Sequence, residues 1–435
     1  MILLLAGPAF IALSFALMLG RVEPFATFFY QFAWYGLILT FDQLIRRRQG
    51  RSLIATCGLP GFLALLFWSA VSWYFFELVN LRLQNWYYVF VADNPLLSFL
   101  GSVVAFATVF PGIFWIDHYL GLYGVAAQRR GKPLRFTSAG LRNLQLAGLG
   151  CLALPLIWPA YFFPLVWLAL VLITAPTNYR RGIDDLLLQF ERGEYGPCLR
   201  LLLAGLIAGL FWESLNFWAR AKWIYTVPFF DQLKLFEMPL AGFLGFPPFA
   251  VECAVLYRAL VWRGLAPAFG AYRAQQLQPS APALKGVLFL LAALGCGLTH
   301  YYMDRQTTTS VTPRLEFIDG LEPGVRALLE THQVRYLTDL EGWQGAKLWQ
   351  QLEGELAPQQ LAELRRTAGL YLHQGIGAEY GNLLLRAGIH SVEALGQLSA
   401  EAVRQKLSAV PHQRLPTLAQ VHVWVRRAPR ERNLP

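Results

Sequence analysis

Apolar residues run along this chain in windows of about twenty, the length that crosses a bilayer's hydrocarbon, and polar loops separate them as far as residue 303. The pattern predicts spans near 1–20, 25–45, 54–77, 96–116, 144–160, 162–177, 199–218, 238–260 and 285–303. The first window lacks a basic start and a small-residue cleavage site, and further spans follow it, so it reads as a transmembrane helix and not as a signal peptide. The fifth and sixth are short and interrupted by Pro155, Pro159 and Pro164, which fits either a tilted hairpin or one kinked passage. After a polar link at 304–313, residues 315–430 change to helical periodicity with breaks at Gly320, Gly342 and Gly375.

The expected fold class is therefore all-α, a polytopic membrane helical bundle of about eight to nine spans followed by a small C-terminal helical domain. A repeat divides the membrane part. Glu77-x-x-Asn80-x5-Trp86-x-Tyr88 returns as Glu213-x-x-Asn216-x6-Trp223-x-Tyr225, each Glu following an aromatic, Phe76 or Trp212. Asp42, with Arg46, Arg47, Arg48 and Arg51, is echoed at a different distance by Asp184-Asp185 with Arg192 and Arg200. Two related halves are expected, about 1–120 and 140–260, with an extra span at 285–303. Four spans per half make the repeats parallel, and such proteins often hold a site where the halves meet.

Composition supports this reading, because 55% hydrophobic and 15% charged residues are too apolar a mixture for an ordinary soluble domain. The net charge of +10 resembles a nucleic-acid signal until it is divided. Residues 313–435 are almost balanced, so the excess belongs to the membrane part. Basic loops at 46–51, 129–142, 180–200 and 258–285 alternate, which the positive-inside rule assigns to the cytoplasm. A bacterial plasma membrane, a cytoplasmic N-terminus and an external C-terminal domain are expected. The five cysteines lie in or beside apolar segments, where they read as small buried hydrophobes and not as a disulfide framework.

The candidate chemistry lies in 211–257, where ionisable groups stand among apolar ones. Carboxylates inside a membrane need partners or water, which makes Glu213 and Glu252 candidate catalytic acids. The i,i+3 spacing puts Glu77 with Asn80, and Glu213 with Asn216, on one helix face, where they can share a ligand group or tie helix ends together. Trp86, Tyr88, Trp223 and Tyr225 offer aromatic surface with polar tips, and Arg82, Arg220, Lys222 and Lys234 are potential counter-charges. Pro247-Pro248 interrupts a span just before Glu252, so a cavity lined by Phe246, Phe249 and Glu252 is expected. Asp117-His118 and His300-Tyr301-Tyr302-x-Asp304 lack metal-ligand spacing and read as interfacial anchors, and Arg426, Arg427, Arg430 and Arg432 as a basic tail. No phosphate-binding glycine loop, nucleophile elbow or Cys-x-x-Cys pair is found, so no cofactor and no metal is expected.

Two resemblances follow from these residues. Gly375-Ile376-Gly377, followed by Tyr380, Leu383, Leu384, Ala387-Gly388-Ile389 and Ser391, is a helix-hairpin-helix pattern; an earlier copy begins at Ile318-Asp319-Gly320-Leu321-Glu322-Pro323. The pair resembles the tandem helix-hairpin-helix domains of uncharacterised bacterial proteins. That resemblance implies the domain's fold and hairpin backbone N–H groups able to meet a phosphate, but Glu322 stands where the first copy's second glycine would be. With the domain almost neutral, the expected partner is a protein and not nucleic acid. Glu213-x-x-Asn216, Trp223-x-Tyr225 and Glu237-x-Pro239 are similar to segments of the membrane lycopene cyclases and carotenoid hydratases, although that family's Pro-x-Glu-Glu run is missing. Three functions stay open: a pocket for a long apolar lipid or carotenoid-like molecule, a scaffold subunit whose partners include membrane lipids, and an enzyme acting on an isoprenoid by acid catalysis.

Overall fold

The computed structural model describes residues 2–227, 229, 233–273 and 277–429; of the basic tail, Arg430 and Arg432 lie outside the described residues. The chain is all-α apart from short strands. The first four passages are α1 (Ile2–Leu19), α2 (Phe25–Gln49), α3 (Leu53–Leu83), strand β1 (Trp86–Val89), then α4 (Pro95–Phe106) continuing into α5 (Val109–Leu122). The next four are α6 (Ser138–Ile157), the short α7 (Pro159–Phe162) leading into α8 (Val166–Arg180), α9 (Leu186–Glu191) with α10 (Gly196–Trp218), and, after strands β2 (Lys222–Tyr225), β3 (Lys234–Leu235) and β4 (Met238–Pro239), a 3-10 turn entering α11 (Phe246–Trp262). A last long helix, α12 (Pro282–Gln306), precedes the C-terminal domain.

Among the described residues seven helical stretches are long and apolar enough to cross a membrane. The apolar part of α1 is shorter, at Leu5–Leu19, and α2 is long but carries Gln31, Asp42 and three arginines. The expected eight to nine spans thus comprise seven by length and apolarity, with α1 and α2 packed against each other; Gly7 and Gly36 let the two backbones approach. The fifth and sixth windows form two separate helices, α6 and α8, a hairpin turned at Trp158–Leu165 and closed by Gly148 against Ile173.

An offset of 136, from Glu77 to Glu213 and from Asn80 to Asn216, also carries α1 onto α6, α2 onto α8, α3 onto α10 and α5 onto α11. The packing follows suit, since α1 lies on α2 as α6 lies on α8, and α2 contacts α5 as α8 contacts α11. By this register the counterpart of Asp42 is Asn178 and not Asp184-Asp185. Asp42 accepts from the Leu53 and Ile54 N–H groups and the Trp115 indole, using its charge at the start of α3. Asn178 donates to Asp185, which also accepts from Arg258 at 2.9 Å.

Asp117 differs from expectation. It is buried and accepts from Arg200 Nε at 2.8 Å and from Tyr272 Oη at 2.8 Å, so it ties α5 to α10 inside the bundle. The same holds for His300, which is buried beside Tyr74 and Asp304.

After α12 the chain enters α13 (Pro323–Thr331), α14 (Gly342–Glu355), α15 (Pro358–Leu372), α16 (Gly377–Arg386), α17 (Val392–Gly396), α18 (Ala400–Ser408) and α19 (Leu418–Arg427) around their own core of Leu329, Leu352, Tyr371, Leu384 and Trp424. Side-chain caps start several of these helices: Ser391 for α17, Ser399 for α18, and Thr417 with Gln420 for α19.

Candidate functional site

Sequence places an aromatic and β-branched run, Trp-Tyr-Tyr-Val or Lys-Trp-Ile-Tyr, just beyond each Glu-x-x-Asn helix. Such residues favour extended backbone, and here they form antiparallel strands paired to each other, Trp86 with Tyr225 and Tyr88 with Trp223. Each asparagine clamps its own strand. Asn80 accepts from Asn85 N at 2.8 Å and donates to Trp86 O at 3.0 Å; Asn216 accepts from Trp223 N at 2.9 Å and donates to Trp223 O at 3.0 Å. Both amides are therefore committed to backbone, and neither faces the cavity described next, which corrects their expected role as ligand contacts.

Side chains alternate across the ribbon. Trp86, Tyr88, Trp223 and Tyr225 face a hollow in the helical bundle, while Tyr87, Val89 and Ile224 pack with Val423 of the C-terminal domain. The hollow has an empty volume of about 1190 Å³ including its open side, and its wall is mostly apolar: Trp73, Phe106, Trp167, Trp212, Phe246 and Phe249. Ring contacts join this wall, with Trp73 and Trp167 each about edge-on to Phe249 at 5.6 and 5.5 Å.

The two carboxyls differ. Glu77 is buried behind the wall and accepts from Trp73 Nε1 at 2.8 Å, Trp86 Nε1 at 3.1 Å and Tyr88 Oη at 2.5 Å. Glu213 lines the hollow, is equally buried, and accepts from Tyr225 Oη at 2.7 Å; its second oxygen, Oε2, has no hydrogen-bond partner among the described residues. The Trp223 indole lies beside Glu213 without completing that oxygen's needs. At the place of Trp73, four residues before the acid, the second copy has Gly209, and Phe246 occupies the space a side chain would need. Burial pushes the Tyr88 and Tyr225 phenols well above their ordinary range, and the neighbouring carboxyls push the same way, so both remain donors.

Residues 332–431 match a family described as a domain of unknown function (DUF4332). Neither curated proteins nor solved structures give any match to the chain. The matched domain does not present its Gly375-Ile376-Gly377 turn outward. Both glycines have positive φ, and a Cβ on Gly375 would strike Val89 and one on Gly377 would strike Ser310. Tyr87 Oη donates to Gln374 O at 3.0 Å beside that contact. The segment expected as a linker also pairs: Tyr88 N donates to Thr307 O at 2.8 Å and Thr309 N to Tyr88 O at 2.7 Å, making a parallel bridge to β1, with a second between Val91 and Val311. Arg414, from the matched domain, donates to the carbonyls of Asp304 and Thr308 and pairs with Glu379 at 2.7 Å.

Glu252 does not line the hollow. The backbone over 240–245 is a 3-10 turn and α11 starts at Phe246, with Pro247 and Pro248 in its first turn, so the glutamate lies two turns into that helix and packs against α8. Its Oε1 accepts from Leu170 N at 2.8 Å, and Oε2 has no hydrogen-bond partner among the described residues. The expected cavity thus contains Phe246 and Phe249 but not Glu252. Of the potential counter-charges, Arg82 donates to Ile157 O, Arg220 pairs with Glu23 at 2.5 Å, and Lys222 approaches Glu237 at 3.6 Å. Among the described residues no group of three His, Cys, Asp or Glu could hold a metal ion.

Sequence reasoning missed Trp73, Trp167 and Trp212, which supply much of the wall. The signal for Trp73 was available in its i,i+4 spacing to Glu77 and in the missing counterpart at Gly209.

Proposed function

We propose that this membrane protein binds a long apolar molecule, a lipid or an isoprenoid of carotenoid type, in the hollow between its two related halves. One observation carries the reading: an aromatic-walled space lined by the buried Glu213 carboxyl, whose Oε2, with the Trp223 indole and Lys234 near the group, makes no hydrogen bond among the described residues. Burial of an unmet acceptor costs about 1–3 kcal/mol, and a ligand that brings a hydroxyl or other donor offsets that cost. The apolar wall then accounts for the rest of the molecule, at roughly 25 cal/mol for each Å² of surface removed from water.

The C-terminal domain, in this reading a tandem helix-hairpin-helix unit, closes the outer end by seating its second hairpin on the back of the same ribbon. That placement uses the hairpin internally, which weighs against a nucleic-acid role. The enzyme alternative draws on the same oxygen: a carboxyl facing ring faces is suited to protonating an alkene, with the rings stabilising the cation.

The test is extraction of the purified chain with organic solvent, followed by absorption and mass spectrometry. A compound released in stoichiometric amount supports the proposal. A clean extract from protein prepared in several lipid backgrounds overturns it. Turnover of a released isoprenoid that disappears in Glu213→Gln would select the enzyme.

A further inference from the structure

A second hollow adjoins the first on the other side of β2. It lies between the α1–α2 turn, β2 and the matched C-terminal domain, with an empty volume of about 1180 Å³ including its open side. Lys222 belongs to both hollows. Where the first wall is aromatic, this one mixes polar and apolar groups, and three cations line it: Arg21 after α1, and Arg220 and Lys222 at the start of β2.

These cations are incompletely answered by the protein. Arg220 gives NH2 to Glu23 and Thr27, at 2.5 and 2.7 Å, but its buried Nε has no hydrogen-bond partner among the described residues. Lys222 stands 3.6 Å from Glu237, outside ordinary hydrogen-bond range, and Glu237 is taken by Arg427 at 3.1 Å. Arg21 donates to the backbone oxygen of Glu341 at 2.9 Å and holds the left-handed φ of 58°. The Glu341 carboxyl also borders the hollow with Glu237, and Glu23 and Asp339 stand beside Arg220 and Arg21 at its edge. Burial lowers the affinity of Arg21 for its proton; Asp339 counters this, and Arg220 adds to the lowering by like-charge repulsion.

Resting on the ligand reading given above, we propose that the second hollow is the headgroup site for the same ligand, which is an amphiphile carrying a phosphate-class anion. The anion lies among Arg21, Arg220 and Lys222, and the tail passes Lys222 into the aromatic hollow. A phosphate offers several acceptor oxygens in a compact group, which matches guanidinium and ammonium donors lining one hollow. A free phosphate would meet the same cations. The lipid is favoured because the site borders an apolar chamber through a shared residue.

The test titrates the full chain, delipidated in detergent, with phosphatidic acid, with diacylglycerol and with inorganic phosphate, read by native mass spectrometry. Expected are a preference for phosphatidic acid over diacylglycerol of about tenfold, and its disappearance in both Arg220→Ala and Arg21→Ala, which line the second hollow alone, while diacylglycerol binding is unchanged. Equal binding of the two lipids, or a preference that survives both substitutions, overturns the headgroup site and leaves the tail chamber standing. Phosphate that binds at these residues without any preference between the lipids overturns the amphiphile and identifies a free-anion site. Binding of neither lipid removes the chamber reading as well, so the two failures are distinguishable.

Discussion

Gly209 and Phe246 are in backbone-to-ring contact so close that no Cβ fits between them, and this contact stands where the first motif copy has the indole of Trp73. Substituting Trp73's counterpart with glycine removes one donor from the acid four residues on. The space released is filled by an aromatic ring from α11 and not by a new donor. Glu77 is therefore closed and Glu213 open.

This asymmetry predicts opposite outcomes for the same substitution. In Glu77→Gln the amide oxygen can take the place of Oε1, to which Trp73, Trp86 and Tyr88 donate, but it accepts without the carboxylate's charge and the NH2 faces the Trp86 indole that also reaches Oε2 at 3.3 Å. A loss of about 1–3 kcal/mol is expected as a lower melting temperature in detergent. Glu213→Gln should change stability by less than about 1 kcal/mol while reducing ligand retention. Equal destabilisation by both would remove the distinction between tie and site.

The contact itself can be probed by adding one carbon. Gly209→Ala forces Phe246 out of position, and overpacking of this kind costs about 1–3 kcal/mol. Because Phe246 belongs to the wall, the variant should also alter the hollow, and a lower melting point with reduced ligand yield is expected.

Docking of the C-terminal domain rests on Gly375. Its φ is +72° and its backbone lies against Val89, so Gly375→Ala combines strain with a clash and should weaken docking by about 1–3 kcal/mol. Limited proteolysis reads the result: cleavage within 307–312 should accelerate as that segment leaves β1. Unchanged protection would mean that the bridges to β1 alone hold the domain.

The pH response of the domain follows from His373. Its Nε2 donates to Trp424 O at 2.8 Å, and burial holds its pKa below the ordinary value. The unfolded chain takes up this proton near pH 6.5 and the folded chain does not. Stability from this group is therefore present above that pH and is lost as pH falls from about 6.5 towards the lowered folded value. Melting curves between pH 7.5 and 5.5 should show the decline, and His373→Asn should flatten it.

Much of the helical architecture is legible from the chain alone. Apolar windows have the length of a bilayer crossing, and each of the nine windows becomes helix, because continuous apolar runs of that size leave the backbone no other way to satisfy its own polar groups. The spacing of Glu77 to Asn80 and Glu213 to Asn216 was also visible. What those residues do was not. Trp86–Val89 finds its partners at Lys222–Tyr225 and at Thr307–Thr312, so a four-residue strand is specified by pairing far along the sequence and has too short a run to announce its period. The Thr-rich segment at 304–313 has the composition of a linker and bridges to β1 for the same reason. Pro247-Pro248 looks like an interruption within a span beside Glu252, but after the 3-10 turn over 240–245 the two prolines stand in the first turn of α11. Asp117 was read from its place near a helix end, whereas Arg200 and Tyr272, distant in sequence, settle its surroundings.

The most direct test is a cryo-electron-microscopy map of the full chain purified in a mild detergent from its native membrane. An elongated non-protein density running along Trp167 and Phe249, with one end within hydrogen-bond reach of Glu213 Oε2, is the predicted result. A hollow that is empty, or closed by the side chains of Trp73, Phe246 and Phe249, would contradict it.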